Sequence, residues 1–120
     1  ATNNGAGIYT DNDEDVEITD SKFIGNVAAD YGGAIGSSQS RNLRITNSEF
    51  FNNQATGGSA IYFDNTEQSA IVNSVFSKNS GPAGYEGAVI TGYDNVDLTV
   101  TNCLIYGNKD RAIWSDEGSN

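Results

Sequence analysis

The chain contains no histidine, no methionine, one cysteine and one proline among its 120 residues. Without histidine, a histidine-based catalytic triad and histidine metal ligands are excluded. The single cysteine, Cys103, cannot form a disulfide within the chain, so packing and hydrogen bonds must hold the fold. The sequence also lacks a run of about 18 apolar residues, which predicts that no segment inserts into a membrane.

Positive charge is scarce as well. Six Lys and Arg residues stand against sixteen Asp and Glu, giving a net charge of −10. A nucleic-acid backbone or an anionic membrane surface is bound by clustered cations, so neither is expected as a partner. The acidity leaves cationic partners and metal ions as options.

What the sequence does contain is a repeat. One motif runs from Ile or Val to Asn and recurs four times, at 18–26, 45–53, 71–79 and 100–108. Its apolar anchors, Phe23, Phe50, Phe76 and Ile105, are separated by 27, 26 and 29 residues. A Gly- or Ala-containing motif opens each repeat at 5–8, 32–35, 58–61, 87–89 and 111–113. This period, with no helical periodicity, predicts a solenoid of short strands.

The predicted fold is all-β: a right-handed parallel β-helix (β-solenoid) of about four coils of 24–29 residues plus the first strand of a fifth. One domain, 1–120, would consist of coils at about 5–31, 32–57, 58–86 and 87–110, with 111–120 a partial coil. Each coil is expected to have two short strands and then a turn that carries Phe-x-x-Asn. Residues 80–86 are predicted to form an enlarged turn and 116–120 a frayed tail.

Charged residues test the register of such a stack, because equivalent positions of neighbouring coils lie about 4.8 Å apart. Opposite charges should then recur one period apart, since like charges would destabilise the pairing. Three columns alternate in this way: Glu17 with Arg44, Lys22 with Glu49, and Glu14 with Arg41 and Glu67.

The same register predicts inward ladders. They are Phe23, Phe50, Phe76 and Ile105; Ile18, Ile45, Ile71 and Val100; Ile8, Ile35, Ile61, Val89 and Ile113; and the small residues Ser21, Ser48, Ser74 and Cys103. Cys103 is therefore expected to be structural rather than reactive. The Asn column (Asn26, Asn53, Asn79 and Asn108) is predicted to turn the chain in the left-handed region and to form a side-chain ladder along the axis.

Two groups of side chains are candidates for binding. Asp11, Asp13 and Asp15 alternate in one loop, as oxygen ligands of Ca²⁺ do, although the Gly and Glu of an EF-hand loop are missing. The alternative is a solvated acidic loop, so the expected cofactor is none or calcium. Tyr9, Tyr62 and Trp114 each follow the opening motif by one residue and form a stripe interrupted by Gly36 and Ile90. The stripe would bind a carbohydrate or a protein, or simply pack across the outside of the sheet.

The two motifs, Gly-Gly-Ala-Ile at 32–35 and Phe-x-x-Asn at 23–26, 50–53 and 76–79, resemble those of polymorphic outer-membrane proteins and secreted surface-adhesin repeats. These belong to the wider set of right-handed parallel β-helix proteins with the pectin-lyase-like fold. The resemblance implies this fold and its handedness, whereas functions within the superfamily range from lyases to passive stalks. Ser59, Arg111 and Ile105 depart from the motifs, and the family's catalytic motifs map onto no position.

The leading hypothesis is therefore a non-enzymatic extracellular or cell-surface module with a structural or adhesive role. No capping helix is predicted in 1–10 or 109–120, so the ends of the stack need another cover. One alternative is therefore a fibre subunit that self-associates head to tail. Neighbouring coils of a longer chain would cover the ends equally well. Another is a fragment that binds or degrades polysaccharide. Outward columns that become apolar at Val75, Leu104 and Val96 predict a lateral contact near the C-terminal coils.

Overall fold

The computed structural model describes residues 4–81, 88–116 and 119. Gly87, most of the predicted enlarged turn and part of the predicted tail lie outside the described residues. The described strands are β1 (Ile8–Asp11), β2 (Glu17–Thr19), β3 (Lys22–Ile24), β4 (Ile35–Ser38), β5 (Arg44–Thr46), β6 (Glu49–Phe51), β7 (Ile61–Asp64), β8 (Ser69–Val72), β9 (Val75–Ser77), β10 (Ala88–Tyr93), β11 (Leu98–Thr101), β12 (Leu104–Tyr106) and β13 (Arg111–Ser115).

The strands form three parallel sheets, and each sheet takes one strand from each successive coil. The first sheet has the order β1-β4-β7-β10-β13, the second β2-β5-β8-β11 and the third β3-β6-β9-β12. The β-solenoid prediction is confirmed. The expectation of two strands per coil is wrong: Phe23, Phe50 and Phe76 lie in a third strand, not in a turn, because their side chains alternate into the core.

The charge columns are in the predicted register. Glu17 pairs with Arg44 and Lys22 with Glu49, while isolated bridges align Glu14, Arg41 and Glu67. Within the described part of the chain, Lys22 and Glu49 alone approach as an ion pair, at 3.4 Å between Nζ and Oε2, and both side chains are largely exposed. The columns therefore mark the register more than they stabilise it.

The core is built from stacked side chains. The rings of Phe23 and Phe50 lie 4.9 Å apart and those of Phe50 and Phe76 4.6 Å apart, nearly parallel in both pairs, and Ile105 follows Phe76 in the column. Ile18, Ile45, Ile71 and Val100 stack as predicted.

The column of the first sheet contains a correction. Ile61 is aligned with Ile90, and Ile90 with Ile113, so Val89 is not a member of the Ile8 column. The amide N–H of Ala60 donates to the Val89 carbonyl, which places Val89 over Ala60 instead. The spacing places Val89 in this column because Gly87-Ala88-Val89 resembles Gly-Ala-Ile in sequence. In the structure the next residue, Ile90, takes that position.

The left-handed turns occur one residue earlier than predicted. Gly25, Asn52, Lys78 and Gly107, the residues that precede the Asn column, have positive φ. The Asn column itself does not, so the prediction that it turns the chain is wrong. Its side chains point inward to bind backbone groups. A second left-handed column, Asp20, Asn47, Asn73 and Asn102, lies between the strands of the second and third sheets.

The Asn ladder along the axis is confirmed. The backbone N–H and the side-chain Nδ2 of Asn53 both donate to Oδ1 of Asn79, at 2.9 and 3.0 Å. Asn79 makes the same pair of bonds to Oδ1 of Asn108, and Asn26 makes them to Asn53. The side-chain amides of Asn53, Asn79 and Asn108 also donate to a backbone carbonyl of the preceding coil, as in Asn79 Nδ2 to Phe50 O at 3.0 Å. The ladder thus ties the core to the turns.

The predicted apolar outward column is correct at two positions and wrong at the third. Leu104 is 55% exposed and Val75 is half-buried, but Val96 is 2% exposed and contributes to the core. The loop after β10 folds Val96 against Gly92, where no side chain obstructs it. Among the described residues, no helix is long and apolar enough to cross a bilayer.

Candidate functional site

The outward side of the first sheet carries two columns of side chains that run along the axis. One consists of Tyr9, Gly36, Tyr62, Thr91 and Trp114. The other, two residues further along each strand, consists of Asp11, Ser38, Asp64 and Tyr93. Tyr31 lies at the edge of the sheet, bridged to Asn4 and Gly57. We refer to Tyr9, Tyr31, Tyr62, Tyr93, Trp114, Asp11 and Asp64 as the tyrosine face.

The structure places Tyr9, Tyr62 and Trp114 in one column, as predicted, and corrects its interruptions. Thr91, not Ile90, separates Tyr62 from Trp114, because the register of β10 is shifted by one residue. Gly36 does not leave an open gap: a Cβ added there would lie 3.1 Å from Cδ2 of Tyr9, so the Tyr9 ring leans over it. The glycine thus lets the ring lie against the sheet.

Sequence reasoning missed Tyr31, which stacks on Tyr62 with ring centroids 4.4 Å apart and planes inclined by 23°. The Tyr31 ring lies over Gly57, where a Cβ would approach Cδ1 of Tyr31 to 2.8 Å. The available signal was the paired glycine in the following coil. Tyr9, Tyr31 and Tyr93 are 47%, 41% and 51% exposed, so their rings offer apolar surface to solvent.

Carboxylates crowd one side of these rings. Burial, then the charges of Asp94 and Asp116, raise the pKa of Asp64 above its usual range. Asp116 accepts a 2.8 Å hydrogen bond from the Asp94 backbone N–H and another from Ser119 Oγ, and these bonds lower the pKa of Asp116. Burial and the charge of Asp64 raise the pKa of the Tyr62 hydroxyl, so this phenol stays protonated at neutral pH.

The three aspartates of the calcium prediction each have a separate partner. Asp13 Oδ2 accepts the backbone N–H of Asp11, and Asp11 Oδ1 accepts the Asn12 amide. Asp15 Oδ1 accepts Asn42 Nδ2 from the next coil at 2.6 Å. Across the part of the chain that the structure describes, no three Asp, Glu, Cys or His side chains converge as a metal-binding group would. Calcium binding at this loop stays a prediction.

Of two depressions formed by the described residues, one lies away from the tyrosine face and the other adjoins it at Trp114. A shallow groove of about 530 Å³ follows the bend between the second and third sheets, and its lining includes Asp20, Lys22, Asn47 and Glu49. A smaller, mainly apolar cavity of about 230 Å³ lies beside β11 and β13, lined by Val96, Leu98, Val100, Ile113 and Trp114 among others.

Two polar ladders hold many of the buried hydroxyls of the described residues. The Ser column is as predicted: Ser48 and Ser74 are buried, and half-buried Cys103 ends it, with Sγ 3.4 Å from the Thr101 carbonyl. The second ladder was not anticipated. Thr10 donates to Ser37 at 2.8 Å within the first sheet, and the Ser37 hydroxyl lies 3.3 Å from that of Thr66, which follows β7. These hydroxyls satisfy one another, which favours a structural role.

Comparison with known proteins identifies the family. The profile described as "Right handed beta helix region" matches residues 1–120. The chain therefore belongs to the right-handed β-helix family, as its sheets and stacked columns independently indicate. It is also similar to "Probable autotransporter YfaL" of Escherichia coli (strain K12), at 43% identity over 72 residues, which take in 54% of this chain. The chain spans about 6% of the length of that relative. No solved structure matches the chain significantly.

Proposed function

We propose that this chain is a non-enzymatic β-helix module that works at the cell surface or outside the cell, with a structural or adhesive role. The observation that carries the proposal is where the polar side chains are used. The Asn ladder, the Ser ladder and the Thr10–Ser37–Thr66 ladder all bind neighbouring coils, and the charged columns align them. Polar side chains that are used in this way make the stack rigid and are not available for catalysis. Similarity to a probable autotransporter supports the surface location.

Location is tested with antibodies raised against the purified 120-residue chain. We expect them to label intact cells of the organism that encodes it, or its culture medium, as strongly as permeabilised cells. A cytoplasmic protein of the same organism serves as the control and should be labelled after permeabilisation only. Labelling of this chain that also requires permeabilisation would contradict the proposal.

The absence of catalysis is tested separately. The purified chain is incubated with acidic and neutral polysaccharides, and reducing or unsaturated ends are measured. No release above the buffer blank is expected. Release that is abolished by Asp64→Asn but retained by Asp20→Asn would instead make the chain a polysaccharide-degrading enzyme with a site on the tyrosine face.

Self-association is the second candidate role. Leu98, Val100 and Ile105 belong to core columns yet are only partly buried, and the first two line the apolar cavity. A β-strand edge from a second copy would cover them. Sedimentation velocity at increasing concentration should then show growing species, and Val100→Asp should suppress them. A monomer at every concentration would eliminate this candidate.

A further inference from the structure

On the tyrosine face, Asp11 and Asp64 have no opposite charge in their own outward columns of the described strands, and Arg111 of β13 aligns with Ala88, outside those columns. On the second sheet Glu17 lies opposite Arg44, and on the third Lys22 lies opposite Glu49. In the outward columns of the first sheet, the described strands place Asp11 and Asp64 with aromatic, Gly, Ser and Thr residues and with no Lys or Arg. A chain that opposes charges elsewhere leaves this face negative.

The rings beside these carboxylates are suited to the same kind of ligand. The π face of an aromatic ring is electron-rich and attracts Lys and Arg side chains. Tyr31 stacks on Tyr62 beside Gly57, the Tyr9 ring lies beside Gly36, and Tyr93 stands in the aspartate column. The stack covers one face of each of its two rings, whereas Tyr9, Tyr31 and Tyr93 keep 41–51% of their surface exposed to a ligand. Asp64 lies two residues along the strand from Tyr62.

We propose that the tyrosine face binds a basic peptide segment, with Lys or Arg side chains inserted between the tyrosine rings and the carboxylates of Asp11 and Asp64. The two aspartates stand in the same column, separated by Ser38 of the intervening coil. Two coil steps of about 4.8 Å separate them by roughly 10 Å. In an extended peptide, side chains on one face repeat at about 6.8 Å. When the peptide lies along the axis, alternate basic residues can therefore address the two carboxylates, because the long and flexible Lys and Arg side chains span the remaining difference of about 3 Å.

The repulsion within the face supports this assignment. Asp94 and Asp116 hold negative charge close enough to Asp64 to oppose its ionisation. A cation bound beside Asp64 would relieve that repulsion, since an opposite charge favours the ionised carboxyl. An acidic polysaccharide would meet the reverse situation, and a neutral sugar would gain from the rings but not from the carboxylates.

Binding is measured by the fluorescence of Trp114, the chain's one tryptophan, which lies in the Tyr62 column. The probes are an oligo-arginine peptide, an oligo-glutamate peptide of equal length and a neutral cello-oligosaccharide. The basic peptide should bind and the acidic one should not, and its affinity should fall as salt is raised. Binding of the cello-oligosaccharide in preference to the basic peptide would overturn the proposal in favour of a carbohydrate site.

Matched variants separate a specific site from attraction by the overall net charge. Asp64→Asn should be compared with Asp20→Asn, which also removes one negative charge but from the groove between the other two sheets. Tyr62→Phe is a further variant that keeps the ring and removes its hydroxyl. Asn stands in the Asp20 column in the three following coils, so this control should fold. We expect Asp64→Asn to weaken binding about two- to fivefold and the double variant Asp11→Asn, Asp64→Asn about tenfold.

Asp20→Asn should change the affinity by less than about twofold, and Tyr62→Phe should retain binding because the ring face is kept. Tyr31→Ala should weaken it. Thermal unfolding followed by circular dichroism checks that each variant is folded. Equal losses in Asp64→Asn and Asp20→Asn would show non-specific attraction and overturn the proposal. A basic peptide as partner makes the proposed adhesive role more specific, and this inference rests on that proposed function. If the chain were found at the cell surface but did not bind the peptide, the inference would fail and the adhesive role would stand.

Discussion

At the scale of single residues, the buried Asn side chains stabilise the stack by hydrogen bonds between neighbouring coils, in addition to the apolar core. Asn79 is fully buried and is the most connected member of its column. Its Oδ1 accepts two bonds from Asn53, and its Nδ2 donates to Phe50 O and to Asn108. A buried polar group that loses its partner has given up its hydrogen bonds to water and gained none in return, which lowers the stability of the folded state. Truncating a side chain of this column should therefore be destabilising.

We therefore expect Asn79→Ala to lower the free energy of unfolding by about 2–4 kcal/mol, because it leaves the Asn53 amide and the Phe50 carbonyl without their side-chain partner. The measurement is urea unfolding followed by circular dichroism. Asn26→Ala is the matched control, since Asn26 begins the column, is half-buried and accepts no described side-chain bond. It should be affected by about 1 kcal/mol or less. Equal losses of unfolding free energy in the two variants would mean that the hydrogen bonds of Asn79 to both neighbouring coils do not stabilise the fold more than the bonds of Asn26 do.

Asp64 gives a prediction of the opposite sign. Its pKa in the folded chain lies above the ordinary value of 3.8, so the folded state holds the proton more tightly than the unfolded state does. The charged form therefore costs stability at neutral pH, and this cost disappears as the pH falls below the ordinary value. Because the side chain is only partly buried and water screens its charge, the effect should be a few tenths of a kcal/mol.

Asp64→Asn should accordingly raise the unfolding midpoint at about pH 7, and the gain over the parent chain should vanish at about pH 3. Urea unfolding at both pH values tests this. Asp20→Asn removes one charge at a position that accepts Asn, so it reports the effect of net charge alone. A gain from Asp64→Asn that is no larger than that of the control, or that persists at the acidic pH, would contradict the assignment.

At the scale of the element, each coil bends at left-handed residues that recur in columns, and the same column tolerates different side chains. Gly25 shares its column with Asn52 and Lys78, all with positive φ, and a Cβ at Gly25 would meet nothing within 4 Å. Gly32 also has positive φ, but a Cβ there would collide with the Ile35 carbonyl oxygen. The two glycines thus have the same backbone region and different reasons for being glycine.

Gly32→Ala should therefore destabilise the chain by at least about 2 kcal/mol, since it adds a steric clash to a left-handed conformation. Gly25→Asn should change stability by less than about 0.5 kcal/mol, because Asn tolerates this region and already occupies the position one coil later. Urea unfolding compares the two directly. If Gly25→Asn proved as destabilising as Gly32→Ala, backbone conformation rather than the Ile35 contact would be the limiting factor.

The coil also shows what the sequence could and could not predict. Spacing alone gave the register of the Phe23, Ile18 and Glu17 columns, because identical side chains recur on identical faces and a slip of one residue would bury charge. It failed at Val89, where a local Gly-Ala-Val imitates the motif. It missed the third strand because two residues alone separate that strand from the one before it, as Asp20 and Ser21 do between β2 and β3. The stripe of Tyr9, Tyr62 and Trp114 was predictable from the same spacing. The spacing did not reveal Tyr31, since it precedes the strand and joins the face through stacking on Tyr62, and the glycine paired with it, Gly57, was the one signal for it.

At the scale of the whole molecule, a solenoid behaves as a one-dimensional stack in which each coil contacts only its neighbours. Strands β4 to β10 have a partner on both sides, whereas β1, β2 and β3 and the strands β11, β12 and β13 have one. The core exposure follows the same gradient: Phe50 and Phe76 are fully buried, while Ile105 is only partly so. Local opening should therefore be easiest at the two ends of the stack.

Hydrogen exchange of the 120-residue chain should reveal this gradient. Amides of β5, β6, β8 and β9 should exchange slowest, because opening them breaks pairing with two coils. Amides of β12 and β13 should exchange fastest among the strands, since they open without disturbing the central coils. Mass spectrometry of peptides that cover 44–51 and 104–115 measures the difference. In Asn79→Ala, protection should fall most in β6, β9 and β12, the strands of the third sheet that this side chain ties together, and less in β1. Protection that is uniform along the chain, or that falls everywhere equally in the variant, would mean that the coils unfold as one unit and that nearest-neighbour stacking does not describe this protein.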